Sequence, residues 1–199
     1  MMQEGIFSLA VFAVVATITP GGATTLATDS GARFGYRRSV PLMAGIAAGL
    51  ASMAALAAVG LSTAILAVPS LQLILKLLGT AYLLWLAFKI ARNGAPQSSS
   101  APTSPAGFVT GVWLLWQNPK GWTMTLGAAA SFATLADGPT RLATLLGVAF
   151  AVASSVSLSI WCVAGLLLAR RLRSERQWQV FNLILALTLV MSIVPMWLE

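Results

Sequence analysis

The residues best suited to handling a solute gather around two prolines. From Thr17 to Thr25 the chain reads T-I-T-P-G-G-A-T-T, and from Gln117 to Thr123 it reads Q-N-P-K-G-W-T. Proline has no N–H and clashes with the carbonyl four residues back. Pro20 is therefore expected to free the carbonyl of Ala16, and Pro119 that of Leu115. Gly21, Gly22 and Gly121 weaken the helices further. Broken helix ends present partial charges, positive at N–H groups and negative at carbonyls, to a bound solute. Thr17, Gly21, Thr24 and Thr28 recur at helical spacing, with Thr19 beside the first proline. Gly111, Asn118, Gly121 and Thr125 do the same around the second. Lys120 is the sharpest single residue. A lysine at mid-membrane costs about 2.5–3.5 kcal/mol, so it should face a cavity or a partner. With N–H groups after Pro20 it suits a carboxylate, while the carbonyls and the Thr and Asn oxygens suit an ammonium. That pairing fits a zwitterion. The plainer alternatives are kinked, close-packed helices and a lysine reaching for the interface.

Other polar positions are read two ways. Asp29 is either a gate or proton acceptor, or a solvated acid at a helix end. Tyr82 either bonds into the cavity or sits in the core. Ser154, Ser157 and Trp161 line a path or simply pack. Gly45 and Gly49 form G-x-x-x-G, which brings helices close, within one subunit or between two copies in a homodimer. There is no histidine, and Cys162 is the one cysteine. No catalytic set, metal set or cofactor is expected.

The elements that must hold these residues are helices in lipid. The 199 residues are 58% hydrophobic and 9% charged, against about 25% charged in a soluble domain. That excludes a soluble enzyme, a disordered chain and a nucleic-acid binder, although the net charge is +7. A spanning helix needs about 20 apolar residues. Six spans fit, near 5–28, 40–68, 71–91, 108–135, 141–169 and 177–198. The first is read as a retained helix, because Glu4 precedes it where a signal peptide wants positive charge. Arg33, Arg37, Arg38, Lys89, Arg92, Arg170, Arg171, Arg173 and Arg176 mark one side; Lys76 and Arg141 mark the other. The basic side should be cytoplasmic and both termini periplasmic. Trp178 and Trp197 flank the last span as interfacial anchors would.

Residues 92–107 are Pro/Ser-rich and read as a flexible cytoplasmic linker. They separate two three-helix halves, 1–91 and 108–199. An odd helix count per half inverts one against the other. At an offset of 99, Pro20, Gly22 and Thr24 align with Pro119, Gly121 and Thr123. The fold class expected is thus an all-α polytopic membrane protein, six transmembrane helices in two inverted repeats, with helices 1 and 4 broken at proline.

The chain resembles the lysine-exporter (LysE/Rht-type) family of bacterial amino-acid exporters over its whole length. The resemblance rests on Thr19-Pro20-Gly21, Phe34-Gly35-Tyr36-Arg37-Arg38, Gly45 and Gly49, and Leu78-Gly79-Thr80-Ala81-Tyr82-Leu83. Phe108, Gly111 and Asn118-Pro119-Lys120 extend it. It implies efflux of amino acids or related solutes across the inner membrane, driven by the proton gradient. Gly22 and Ala23 depart from the family's usual Pro and Asn after Thr-Pro-Gly. The rival readings are export of a cation or other small solute, and a passive pore.

Overall fold

The computed structural model describes residues 2–60, 73, 77, 80–81, 84–85, 87–92, 104–191 and 193–194. Most of the third span, the linker residues 93–103, Lys76, Tyr82 and Trp197 lie outside the described residues. Among those described there is no strand.

The elements are α1 (Met2–Ile18), α2 (Gly22–Phe34), α3 (Tyr36–Ala58), α4 (Phe108–Trp116), α5 (Pro119–Ser131), α6 (Pro139–Ala169) and α7 (Glu175–Met191). A short 3-10 turn, Ala133–Leu135, follows α5. Among the described residues, α3 and α6 are each long and apolar enough to cross a membrane. The pair α1 and α2, bent by 60° at the Pro20 segment, is a third span if taken together. At about 1.5 Å per residue, the 31 residues of α6 run about 46 Å. The exposed large hydrophobic side chains of α6 are Val148, Val152, Val156, Ile160, Val163, Leu167 and Leu168. Water would not favour such a face; hydrocarbon does.

α3 and α6 form the central wall. Leu42, Ile46, Leu50 and Met53 of α3 pack with Leu146, Phe150, Leu158 and Cys162 of α6. Leu9 and Ala13 of α1 join them. A second cluster places Ala87 and Ile90 against Phe181, Leu185 and Leu189 of α7.

Two crossings bring backbones into contact. A Cβ on Gly45 would collide with the Phe108 carbonyl, and one on Gly111 with that of Leu42. Likewise a Cβ on Gly31 would meet the Cys162 carbonyl, and one on Gly165 that of Thr28. The G-x-x-x-G of α3 thus serves a contact with α4 inside this chain.

Three sequence expectations need correcting. α2 continues past Asp29 to Phe34, and Gly35 alone joins it to α3. Asp29 therefore ends no helix, and Arg33 belongs to no loop. Trp178 is no interfacial anchor either: it is buried, edge-on to Phe181 and 6.0 Å from the Arg33 guanidinium carbon.

The Asp29 carboxylate accepts a 2.7 Å bond from Arg33 Nε, one turn along α2, and both side chains are at most 15% exposed. Arg33 also donates to Asn182 Oδ1 of α7 at 3.1 Å. Removing one partner of a buried ion pair costs about 3–5 kcal/mol, because the other charge stays buried. Asp29→Asn is accordingly expected to lower the thermal unfolding midpoint of the detergent-purified protein strongly. An unchanged midpoint would return Asp29 to the role of a solvated acid.

Candidate functional site

The site is built from the two helix interruptions. A helix end leaves its last carbonyls without partners. In α1 these are met from distant parts of the chain. Ser157 Oγ donates to the Thr17 carbonyl at 2.8 Å, and Trp161 Nε1 to that of Ile18 at 3.0 Å. Lys120 Nζ donates to the Thr19 carbonyl at 2.8 Å. The far side is closed locally: the Gly21 N–H donates to Thr24 Oγ1 at 2.8 Å, and that hydroxyl donates back to the Gly21 carbonyl.

The second interruption closes on itself. Asn118 caps α5, its Oδ1 accepting the Lys120 N–H, with Pro119 in the first turn where its missing N–H costs nothing. Trp122 Nε1 donates to the Trp116 carbonyl at 2.9 Å, and the two indoles meet edge to face. The Leu115 carbonyl, expected to be free, accepts the Asn118 N–H at 2.8 Å. Leu115 therefore has no idle carbonyl for an ammonium group.

Between the two interruptions lies a cavity of about 30 Å³. Thr17, Thr19, Gly21, Thr24, Asn118 and Lys120 line it, as do Ser154 and Ser157. Its volume suits a water molecule or two. Pro20, Pro119 and Gly121 do not line it: Pro20 is exposed, and Gly121 is buried against Met53 and the Leu115 carbonyl. Asp29 does not line it either. Tyr82 is outside the described residues.

The wall hydroxyls are mostly occupied by their own helices. Thr17 bonds the Ala13 carbonyl, Thr19 that of Val15, and Ser154 that of Phe150. They bring accepting lone pairs to the cavity, not unsatisfied donors. The Thr24 and Thr123 of the sequence repeat have diverged, since Thr24 is buried and Thr123 is exposed and bonds the Pro119 carbonyl. Arg33 with Asn182 is the polar pairing that sequence reasoning missed. Its signals are the Asp29-to-Arg33 spacing of four and an amide inside an apolar helix.

Apolar helices, two interruptions and a largely apolar cavity between them, edged by Thr, Ser, Asn and Lys groups, are the build of a membrane transporter, not an enzyme. The chain belongs to the LysE type translocator family, whose model matches residues 14–193. It is a multi-pass protein of the inner membrane. The cysteine/O-acetylserine efflux protein of Salmonella typhimurium (strain LT2) is 29% identical over 180 residues, covering 90% of each chain. The protein of that name from Escherichia coli O1:K1 is also 29% identical, over 182 residues and 90% of each chain. No solved structure matches.

Proposed function

We propose that the chain exports small zwitterionic amino acids, of the cysteine and O-acetylserine kind, by alternating access driven by the proton gradient. The observation that carries this reading is the bond from Lys120 Nζ to the Thr19 carbonyl, because it joins the two interruptions across the cavity. A zwitterion can replace that bond with two. Its carboxylate takes the lysine, and its ammonium takes the released carbonyl. Thr17, Thr24 and Asn118 oxygens add acceptors, and charge-assisted bonds of this type are the stronger ones. The cavity is too small for an amino acid as it stands, so the solute enters only as the walls part.

The wider architecture belongs to the same proposal. Residues 1–91 and 108–199 are two inverted halves of three spans, joined by 92–107, with both termini periplasmic. Asp29, beside Arg33, and Tyr82 supply the gating or proton-linked step. A homodimer is compatible with this layout.

The test is transport itself. Proteoliposomes holding the purified protein and unlabelled O-acetylserine should accumulate labelled O-acetylserine by counterflow. An imposed proton gradient should drive net movement, and collapsing it should stop that movement. Counterflow with divalent cations but not amino acids would sink the amino-acid reading. Net flux indifferent to the gradient would leave a passive pore.

A further inference from the structure

A second cavity, of about 730 Å³, opens where α6 ends and α7 begins. Leu166, Ala169 and Leu172 form apolar walls, with Ala32 of α2 opposite. Arg33, Arg170 and Arg173 reach it, with Ser174, Glu175 and Trp178. The Arg33 charge is already matched by Asp29. Arg170 and Arg173 are exposed and together outweigh Glu175. The turn that carries them is stiff. The backbone N–H groups of Arg173 and Ser174 donate to Gln177 Oε1 at 2.7 and 3.2 Å, and the Gln177 N–H donates to Ser174 Oγ. This reciprocal cap fixes the entry of α7.

Depth identifies the ligand. At about 46 Å, α6 exceeds the roughly 30 Å hydrocarbon layer and reaches into the headgroup region at its ends. Past the cavity α7 continues with Val180, Leu183, Ile184 and Leu187 exposed, an apolar stripe for an acyl chain. A basic pocket between helices at headgroup depth, with an apolar track leading away, matches an anionic phospholipid.

We propose that this cavity binds the phosphate of an anionic phospholipid headgroup through Arg170 and Arg173. The site touches α2 through Ala32 and Arg33, so an occupied cavity braces the helix that follows the first interruption. It does not rest on the transport reading.

The test is thermal unfolding of the whole detergent-purified protein with phosphatidylglycerol, phosphatidylcholine or inorganic phosphate added. Phosphatidylglycerol should raise the midpoint of the wild type, and of Arg171→Gln, which removes a charge from the same turn without lining the cavity. The double variant Arg170→Gln, Arg173→Gln should lose at least half of that rise. An equal rise in the double variant, or one from phosphatidylcholine, overturns the proposal. An equal rise from inorganic phosphate alone makes it a free-anion site and overturns the lipid assignment. Native mass spectrometry of the wild type gives a reading independent of variant folding. Preferential retention of phosphatidylglycerol is expected, and no preference over phosphatidylcholine counts against the site.

Discussion

Lys120→Met should reduce export to background while the protein remains in the membrane at normal abundance. Met keeps the apolar stem and removes the charge. It deletes the donor to the Thr19 carbonyl and, on the proposed mechanism, the partner of the substrate carboxylate. A hydrogen bond to a charged group contributes about 1.5–3 kcal/mol. Loss of one in the rate-limiting complex lowers the rate roughly 10- to 150-fold, at about 1.36 kcal/mol per tenfold. Lys120→Arg keeps the charge in a planar, forked form and should retain part of the activity. A lysine that only reached for the interface would give the reverse, since Met there is harmless or favourable. Export at the wild-type rate by Lys120→Met would remove Lys120 from the site.

A clear loss of stability is expected at Gly31 as well. Its helix touches α6 so closely that an added methyl would collide with the carbonyl of Cys162, which is backbone and has no rotamer to move to. Gly31→Ala must push α2 away from α6. Overpacking of this kind costs about 1–3 kcal/mol, and here the displaced helices also lose the close approach between Gly165 and Thr28. Gly127→Ala is the control: nothing lies within 4 Å of its added methyl. A helical Gly→Ala change in open space gains roughly 0.5–1 kcal/mol. Thermal unfolding in detergent should therefore move in opposite directions for the two variants. Similar midpoints would mean that the α2–α6 crossing is looser than the structure shows.

Local chemistry is what made parts of this molecule legible from sequence. Thr19-Pro20-Gly21 and Asn118-Pro119 announce helix ends because proline's missing N–H acts within one turn. The helix boundaries at Ile18, Gly22, Trp116 and Pro119 fall there. The small-residue spacing of Gly45 and Gly49 likewise announces close packing. What periodicity cannot supply is the partner. Nothing local to Ser157 or Trp161 says that each meets a carbonyl about 140 residues earlier in the chain. Arg33 misleads for a different reason. Treating charge as a loop marker works only when the charge is solvated, and here Asp29 and Asn182 let it stay inside. Trp178 misleads in the same way: an indole near a helix start is an anchor only if nothing covers it, and the Arg33 side chain and Phe181 do.

The one-residue connection at Gly35 has a mechanical consequence. Its φ of +76° is a conformation that glycine adopts cheaply. Ser39 Oγ bonds the Gly35 carbonyl at 2.9 Å, and the Ser30 and Ser39 hydroxyls lie 2.7 Å apart across the corner. The corner is riveted on both arms, so α2 and α3 turn together like the arms of a bell crank. The carbonyls from Thr17 to Thr19 are held instead by bonds borrowed from α5 and α6. A displacement of either arm is therefore passed to the other through Gly35. A swing of α2 must then drag the α3 helix against α4 at Gly45, so opening one glycine crossing loads the other.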